Sequence, residues 1–371
     1  MGRGIAASKG PNEGRLNTMA IGTLDGTGVV RLSDLADGQE GECFAALVST
    51  DRGTDKHGSR YVKCQFRDKR VLIWAPVWSS DPLLPEAEAW IVGEAYRIKA
   101  RREDHPRYGA QLKLVSVRAV VEDDKADGYE FFDLVEGSKY PLGTCYHRLL
   151  DFIEAYIQDE KLNRLVVQIL ASDADLFQKM PAAQKLHHGF VGGLAEHVWS
   201  VTRVCIGLMN HYASYYDELN PPLNKDVVVA AAILHDIGKL KELRYHPVEA
   251  KYTTRGTLIG HILMGRDLVR DTAREIGDFP EETLMLLEHA ILAHHGKPEY
   301  GAPKPPQTLE ALIVHYADEL DAKMNAIVQE RMRPANGDDP FTSKIYAVDN
   351  RKFYRGVPVP LPTDDDLPPT L

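Results

Sequence analysis

The sequence predicts a multidomain β + α chain, with a small N-terminal β-barrel followed by an all-α domain. Three observations predict it: short runs of period-two alternation confined to residues 29–121, helical periodicity after residue 146, and eleven of fourteen histidines between His187 and His315. At 371 residues, with 44% hydrophobic and 26% charged residues, the chain can bury two cores.

Residues 1–28 are Gly-rich and polar, so burial cannot offset the entropy of ordering them, and they read as a flexible tail without the apolar stretch of a signal peptide. Five β-type runs then follow: Cys43–Val48, Tyr61–Phe66, Arg70–Trp74, Ala89–Ile98 and Gln111–Val117. In the second, Tyr61, Lys63 and Gln65 alternate with Val62, Cys64 and Phe66, which gives one solvated and one buried face. Five such strands between Gly and Asp turns predict an OB-like barrel over 29–121. The polar segment Asp51–Ser59 reads as a loop between strands rather than a plain hairpin.

The acidic stretch Glu122–Asp127, with the Gly and Pro after it, marks residues 122–146 as a linker. Leu149, Ile153, Tyr156 and Ile157 recur at helical spacing, as do Val201, Val204 and Leu208, so residues 147–335 read as a helical domain. Residues 336–371 are a C-terminal extension, partly disordered where Pro and Asp dominate.

A net charge of −10 argues against a protein that coats nucleic acid by charge alone. Four cysteines without CxxC spacing argue against a thiolate metal site and a disulfide scaffold, and fit a reducing cytoplasm. No stretch approaches eighteen uninterrupted apolar residues, so no membrane partner is expected.

The helical domain carries the chemistry. An apolar helical run ends in His235-Asp236-Ile237-Gly238-Lys239, and adjacent helical side chains diverge by about 100°, so this pair can hold a metal only if other helices converge on it. The candidates are His197, His261, the pair His294-His295 and Asp318, each interrupting an apolar segment. Imidazole and carboxylate together suit borderline divalent cations.

The order His197, His235-Asp236, Asp318 resembles HD-domain metal-dependent phosphohydrolases, and His261 with His294-His295 resembles the variant that holds two metals. The strings His187-His188, Gly192-Gly193-Leu194, Glu196-His197, Tyr252-Thr253-Thr254, Gly260-His261-Ile262, Ala293-His294-His295-Gly296 and Ala317–Lys323 are similar to those of the YhaM-type 3′-to-5′ exoribonucleases, which place an OB domain before the HD domain. The resemblance implies a first metal on His197, His235, Asp236 and Asp318. It implies a second on His261 and on His294, His295 or both, with Asp236 bridging. Two divalent ions follow, manganese by resemblance, although iron, cobalt or nickel suit the same donors.

A bridging carboxylate offsets the repulsion between two cations, and the cations lower the pKa of a shared water that would attack phosphorus. Lys239 is either a stabiliser of the transition-state charge or an exposed helix-end lysine. His187 and His188 contact the scissile phosphate, protonate the leaving oxygen or face solvent. Asp321 shares a helix face with Asp318 and can hydrogen-bond a ligand histidine from behind.

The barrel holds fifteen Lys plus Arg against thirteen Asp plus Glu over residues 29–120, so the chain's acidity lies elsewhere. Arg97, Lys99, Arg101, Arg102, Arg107 and Lys113 could track a sugar-phosphate backbone, with Tyr61, Phe66, Trp74, Trp78, Tyr96 and Tyr108 available for stacking. The leading expectation is a metal-dependent 3′-to-5′ exoribonuclease acting on single-stranded RNA, with single-stranded DNA as a further partner and homo-oligomers compatible with the sequence. The alternatives are an HD-type nucleotide phosphohydrolase or cyclic-nucleotide phosphodiesterase, and a non-catalytic nucleic-acid-binding protein.

Overall fold

A computed structural model describes residues 28–135, 137–183, 188–246, 250–333 and 339–357. The tail read at 1–28 falls almost wholly outside them, as do residues 358–371 of the C-terminal extension. The chain divides into two compact units after Leu134.

The first unit is a closed barrel of five strands, β1 (Glu40–Thr54), β2 (Arg60–Arg67), β3 (Leu72–Trp78), β4 (Ala95–His105) and β5 (Gly109–Ala119), with α1 (Leu84–Ala87) between β3 and β4. Its order is β1-β2-β3-β5-β4, and β4 returns to β1. All pairs are antiparallel except β3 with β5. This is the OB-like arrangement that the alternation predicts. Val62, Cys64 and Phe66 are buried in the interior together with Ile98 and Leu112.

Three local readings change. Asp51–Thr54 extends β1, and the turn that follows is a tight hairpin in which Asp55 Oδ1 accepts from the amides of His57 and Ser59. The segment read as a polar loop is therefore a hairpin. Ala89–Glu94 is not strand: the chain leaves α1 through a turn, with Gly93 at φ 96°, before β4 begins at Ala95. The acidic stretch read as linker is a 3-10 turn, Glu122–Asp127, and Asp124, 2% exposed, bonds both Arg97 and Arg118 on the barrel.

The second unit contains α2 (Thr144–Tyr156), α3 (Glu160–Ser172), α4 (Ala174–Lys179), α5 (Gly193–Tyr215), α6 (Lys225–Leu234) and α7 (Lys239–Glu242). A two-residue hairpin follows, β6 (Leu243–Arg244) with β7 (Lys251–Tyr252), and then α8 (Thr254–Ile259), α9 (His261–Ile276), α10 (Glu281–Ala293) and α11 (Leu309–Met332). α6 is the core helix, with Val227 through Leu234 fully buried. Asn224 caps it by accepting from the Val227 amide. A helix apolar on every side needs neighbours on every side, and α2, α3, α5, α10 and α11 pack around it.

All four cysteines are free and buried. Burial pushes the Cys43 and Cys64 thiols up to about 12 and that of Cys145 to about 11. Among the described residues no helix is long and apolar enough to cross a membrane.

Candidate metal centre

The core helix α6 delivers the dyad. His235 ends it and Asp236 follows, and both are buried. The chain then turns through Ile237-Gly238 into α7 with no room to spare: a Cβ on Gly238 would stand 2.0 Å from the His261 carbonyl oxygen. The glycine is what lets the start of α9 press onto this corner and bring His261 in. Gly193 does the same for α5, where a Cβ would lie 1.9 Å from the His188 carbonyl oxygen. His197 comes from the first turns of α5, His294 and His295 follow the end of α10, and Asp318 lies midway along α11.

The two oxygens of Asp236 face two different groups. Oδ2 lies 3.5 Å from His197 Nε2 and 3.5 Å from His235 Nε2. Asp318 Oδ1 closes that side, 3.2 Å from His197 Nε2 and 3.8 Å from His235 Nε2. Oδ1 lies 3.4 Å from His261 Nε2 and 3.7 Å from His294 Nε2. His295 joins this second group, whose ligand atoms all lie within 4.8 Å of one another.

Every imidazole is turned the same way. Each Nδ1 meets an oxygen acceptor: His197 on Asp321 at 2.8 Å, His235 on the Ala232 carbonyl at 2.8 Å and His261 on Glu242 at 3.0 Å. His294 and His295 bond the carbonyls of Ile291 and Tyr300, each at 2.7 Å. Ala232 and Ile291 are in the last turns of α6 and α10, where helices leave carbonyls unpaired. Five Nδ1–H groups thus donate outward, which turns all five Nε2 atoms inward, the face a metal ligand offers.

Three inward atoms, Asp236 Oδ1, His261 Nε2 and His294 Nε2, are buried without a hydrogen-bond partner. Such atoms are costly to leave unpaired, and all three are acceptors aimed at one another. A divalent cation satisfies all three, so the donor set fits a metal.

The electrostatics agree. Burial pulls the His197 pKa down, yet hydrogen bonds to Asp236, Asp318 and Asp321 hold it well above the ordinary imidazole range. Burial pushes His294 well below that range, helped by His295 and His235, and it lowers His295 as well. Against the cost of burial, Asp236 is held well below the carboxylate range by Lys239 and His235, and Asp318 by its bond to His197. The cluster thus holds ionised carboxylates beside His294 and His295, whose protonation burial opposes, and a proton on His197 stands where a cation's charge would act.

Lys239 is buried with its ammonium 2.6 Å from Asp236 Oδ2, not exposed at a helix end. His187 lies outside the described residues. His188 is buried rather than solvent-facing, and its Nε2 lies 3.1 Å from Asp321 Oδ2. It therefore backs the His197–Asp321 pair, a different place from the phosphate contact expected of it. Ser200 also donates to Asp321, whose carboxyl stays well below the ordinary range because these bonds outweigh burial.

Sequence reasoning missed Glu242, which orients His261 through both its backbone amide and its ring. The signal lay in Tyr252-Thr253-Thr254: Thr253 Oγ1 bonds the Lys241 and Glu242 carbonyls and caps α8, fixing Glu242 from behind.

On the barrel, the basic run divides. Arg97 is held by Glu42, Asp124 and Asp127, Lys99 by Glu40 and Arg102 by Asp104. Arg97 is thus a structural clamp, because the acidic turn after β5 neutralises it. Among the described residues Arg101, Arg107 and Lys113 carry no ion pair, and Arg107 stands over the Tyr108 ring. Phe66 and Tyr96 belong to the core. Tyr61 and Trp78 pack together on the outer face of β2 and β3, where Lys63 lies 4.1 Å above the Trp74 ring.

The comparisons with known proteins fall on the same residues. The HD domain family model matches residues 194–323, a span containing His197, His235, Asp236, His261, His294, His295 and Asp318. A helicase family model, TraI_2, matches residues 142–244. The chain is 33% identical over 327 residues to a protein named 3′-5′ exoribonuclease YhaM from Geobacillus sp. (strain WCH70), covering 86% of this chain and 93% of that one. It is 33% identical over 328 residues to the protein of the same name from Bacillus subtilis (strain 168), covering 86% and 95%. Among solved structures, the second OB-fold domain of replication protein A from Methanococcus maripaludis aligns with 25% of this chain and 96% of its own, at 14% identity and a TM-score of 0.21.

Proposed function

We propose, since the chain belongs to the YhaM family of HD-domain 3′-5′ exoribonucleases, that it shortens single-stranded RNA at its His–Asp centre with two divalent cations, manganese foremost. The chain is a hydrolase, and its 3′-5′ polarity follows from the family. The observation that carries the metal reading is the convergence of three buried, unpartnered acceptors, Asp236 Oδ1, His261 Nε2 and His294 Nε2.

His197, His235, Asp318 and Asp236 Oδ2 would hold one cation, and Asp236 Oδ1, His261, His294 and His295 the other. Bound there, the cations would lower the pKa of a shared water and polarise the phosphoryl oxygens. The protein's part is orientation and charge. Each Nδ1 bond fixes one imidazole before substrate arrives, so no reorganisation is required as the reaction proceeds. Lys239 keeps a positive charge beside Asp236, where negative charge on phosphorus would build. Trp74, Trp78, Tyr61 and Lys63 offer the stacking-and-charge surface of a single-strand binder, with Arg101, Arg107 and Lys113 on or beside the neighbouring strands. A mononucleotide would need no such surface, which favours a strand as substrate.

The test is incubation of 5′-labelled single-stranded RNA with the full chain, with and without manganese. The expected product is a ladder shrinking from the 3′ end. Asp236→Asn should lower the rate about a thousandfold while leaving RNA affinity within a few-fold. An intact strand in every metal, or full activity in that variant, would overturn the reading.

A further inference from the structure

Residues 339–357 form a strap on α11 whose tip reaches the metal centre. Antiparallel bridges join Phe341 to Tyr354 and Ile345 to Arg351. The buried Thr342 ties the arms, its amide donating to the Phe353 carbonyl at 2.8 Å and its Oγ1 accepting from the Phe353 amide at 2.9 Å. At the base, the Arg355 guanidinium donates to the carbonyls of Arg331 and Arg333, each at 2.8 Å, where the end of α11 leaves them open. At the tip, Ile345 and Val348 are buried as anchors, and Asp349 and Asn350 turn the chain with φ of 58° and 56°.

Tyr346 sits on this anchored tip with 79% of its surface exposed. Its surroundings give the exposure a meaning: Tyr346, Asp349 and Asn350 line a cavity of about 500 Å³ whose other walls include Asp236, His294 and Asp318. That volume falls within the range of about 300–1,000 Å³ typical of small-ligand pockets. An enzyme that removes one nucleotide after another has to hold every base, and a flat aromatic ring grips any base by its π-face. The HD family match ends at residue 323, and the strap lies beyond it.

We propose that the cavity receives the 3′-terminal nucleotide and that its base stacks on Tyr346, making the strap a sequence-tolerant grip. This rests on the exoribonuclease reading above. The test is calorimetric titration of the manganese-loaded full chain with adenosine 5′-monophosphate and with ribose 5-phosphate, which lacks the base. The wild type should bind the nucleotide about tenfold more tightly, the size of effect that base–aromatic stacking gives. Tyr346→Ala should bring the two affinities within about twofold, and Tyr346→Phe should keep the preference. A tenfold preference surviving in Tyr346→Ala, or none in the wild type, would overturn the inference. The labelled-RNA assay on the same preparations separates the two readings: failure to shorten RNA would sink the exoribonuclease reading, while the ratio of affinities answers for Tyr346 by itself.

Discussion

At the scale of single residues, what matters is which atom each side chain offers. His261 is held by Glu242 at its Nδ1, and losing that acceptor frees the ring to turn and lowers its basicity. Glu242→Ala should therefore weaken metal binding about 10- to 100-fold, measured by competition with a metal-sensitive dye, and excess manganese should restore activity. Unchanged metal affinity would mean that Glu242 only packs. The sequence made the inward residues legible, because His197, His235-Asp236, His261, His294-His295 and Asp318 come in a family order. It made their supports less so: Asp321 was readable from its helix face, but Glu242 touches His261 only through the fold.

At the scale of elements, the approach of α9 to the turn after α6 depends on one missing side chain. Gly238→Ala would place a methyl against the backbone at His261 and Gly265, so the chain should lose several °C in melting temperature and bind metal more weakly. A variant with native melting and metal affinity would show that this corner yields. The acidic turn after β5 makes a second case. Asp124 is held far below the ordinary carboxylate pKa, chiefly by its bond to Arg118 and, beyond the opposing cost of burial, by the Val121 amide and Arg97. A depressed folded-state pKa adds stability that is present above the unfolded carboxylate value and is lost as pH falls through the folded one. Asp124→Asn should cost about 2 kcal/mol in denaturant melts at pH 7, and the difference should shrink as the medium is made strongly acidic. The sequence showed this stretch as a charge run, which alone reads as solvated linker. Only the partners Arg97 and Arg118, on two paired strands, turn it into a clamp.

At the scale of the whole molecule, the proposed function puts strand binding and hydrolysis in different units. The aromatic face on β2 and β3 and the metal centre lie in separate compact units of the chain. Trp74→Ala should raise KM for RNA of twenty or more nucleotides about tenfold and leave hydrolysis of a dinucleotide within twofold. Equal losses on both substrates would show that the barrel serves the centre in some way other than gripping the strand.

The sequence by itself determined the order of the two units, the presence of five barrel strands and the histidines and aspartates that face inward. Alternation, helical period and donor chemistry are local properties that survive reading along a line. Only the tertiary structure decided that Arg97 is spent within the barrel, that His188 backs Asp321, that Glu242 steers His261, and that the strap brings Tyr346 to the centre. The physical reason is the same in each case. A charge or an imidazole has no fixed role until its partner is known, and these partners lie 27 or more residues away for Arg97, 133 for His188 and 19 for His261.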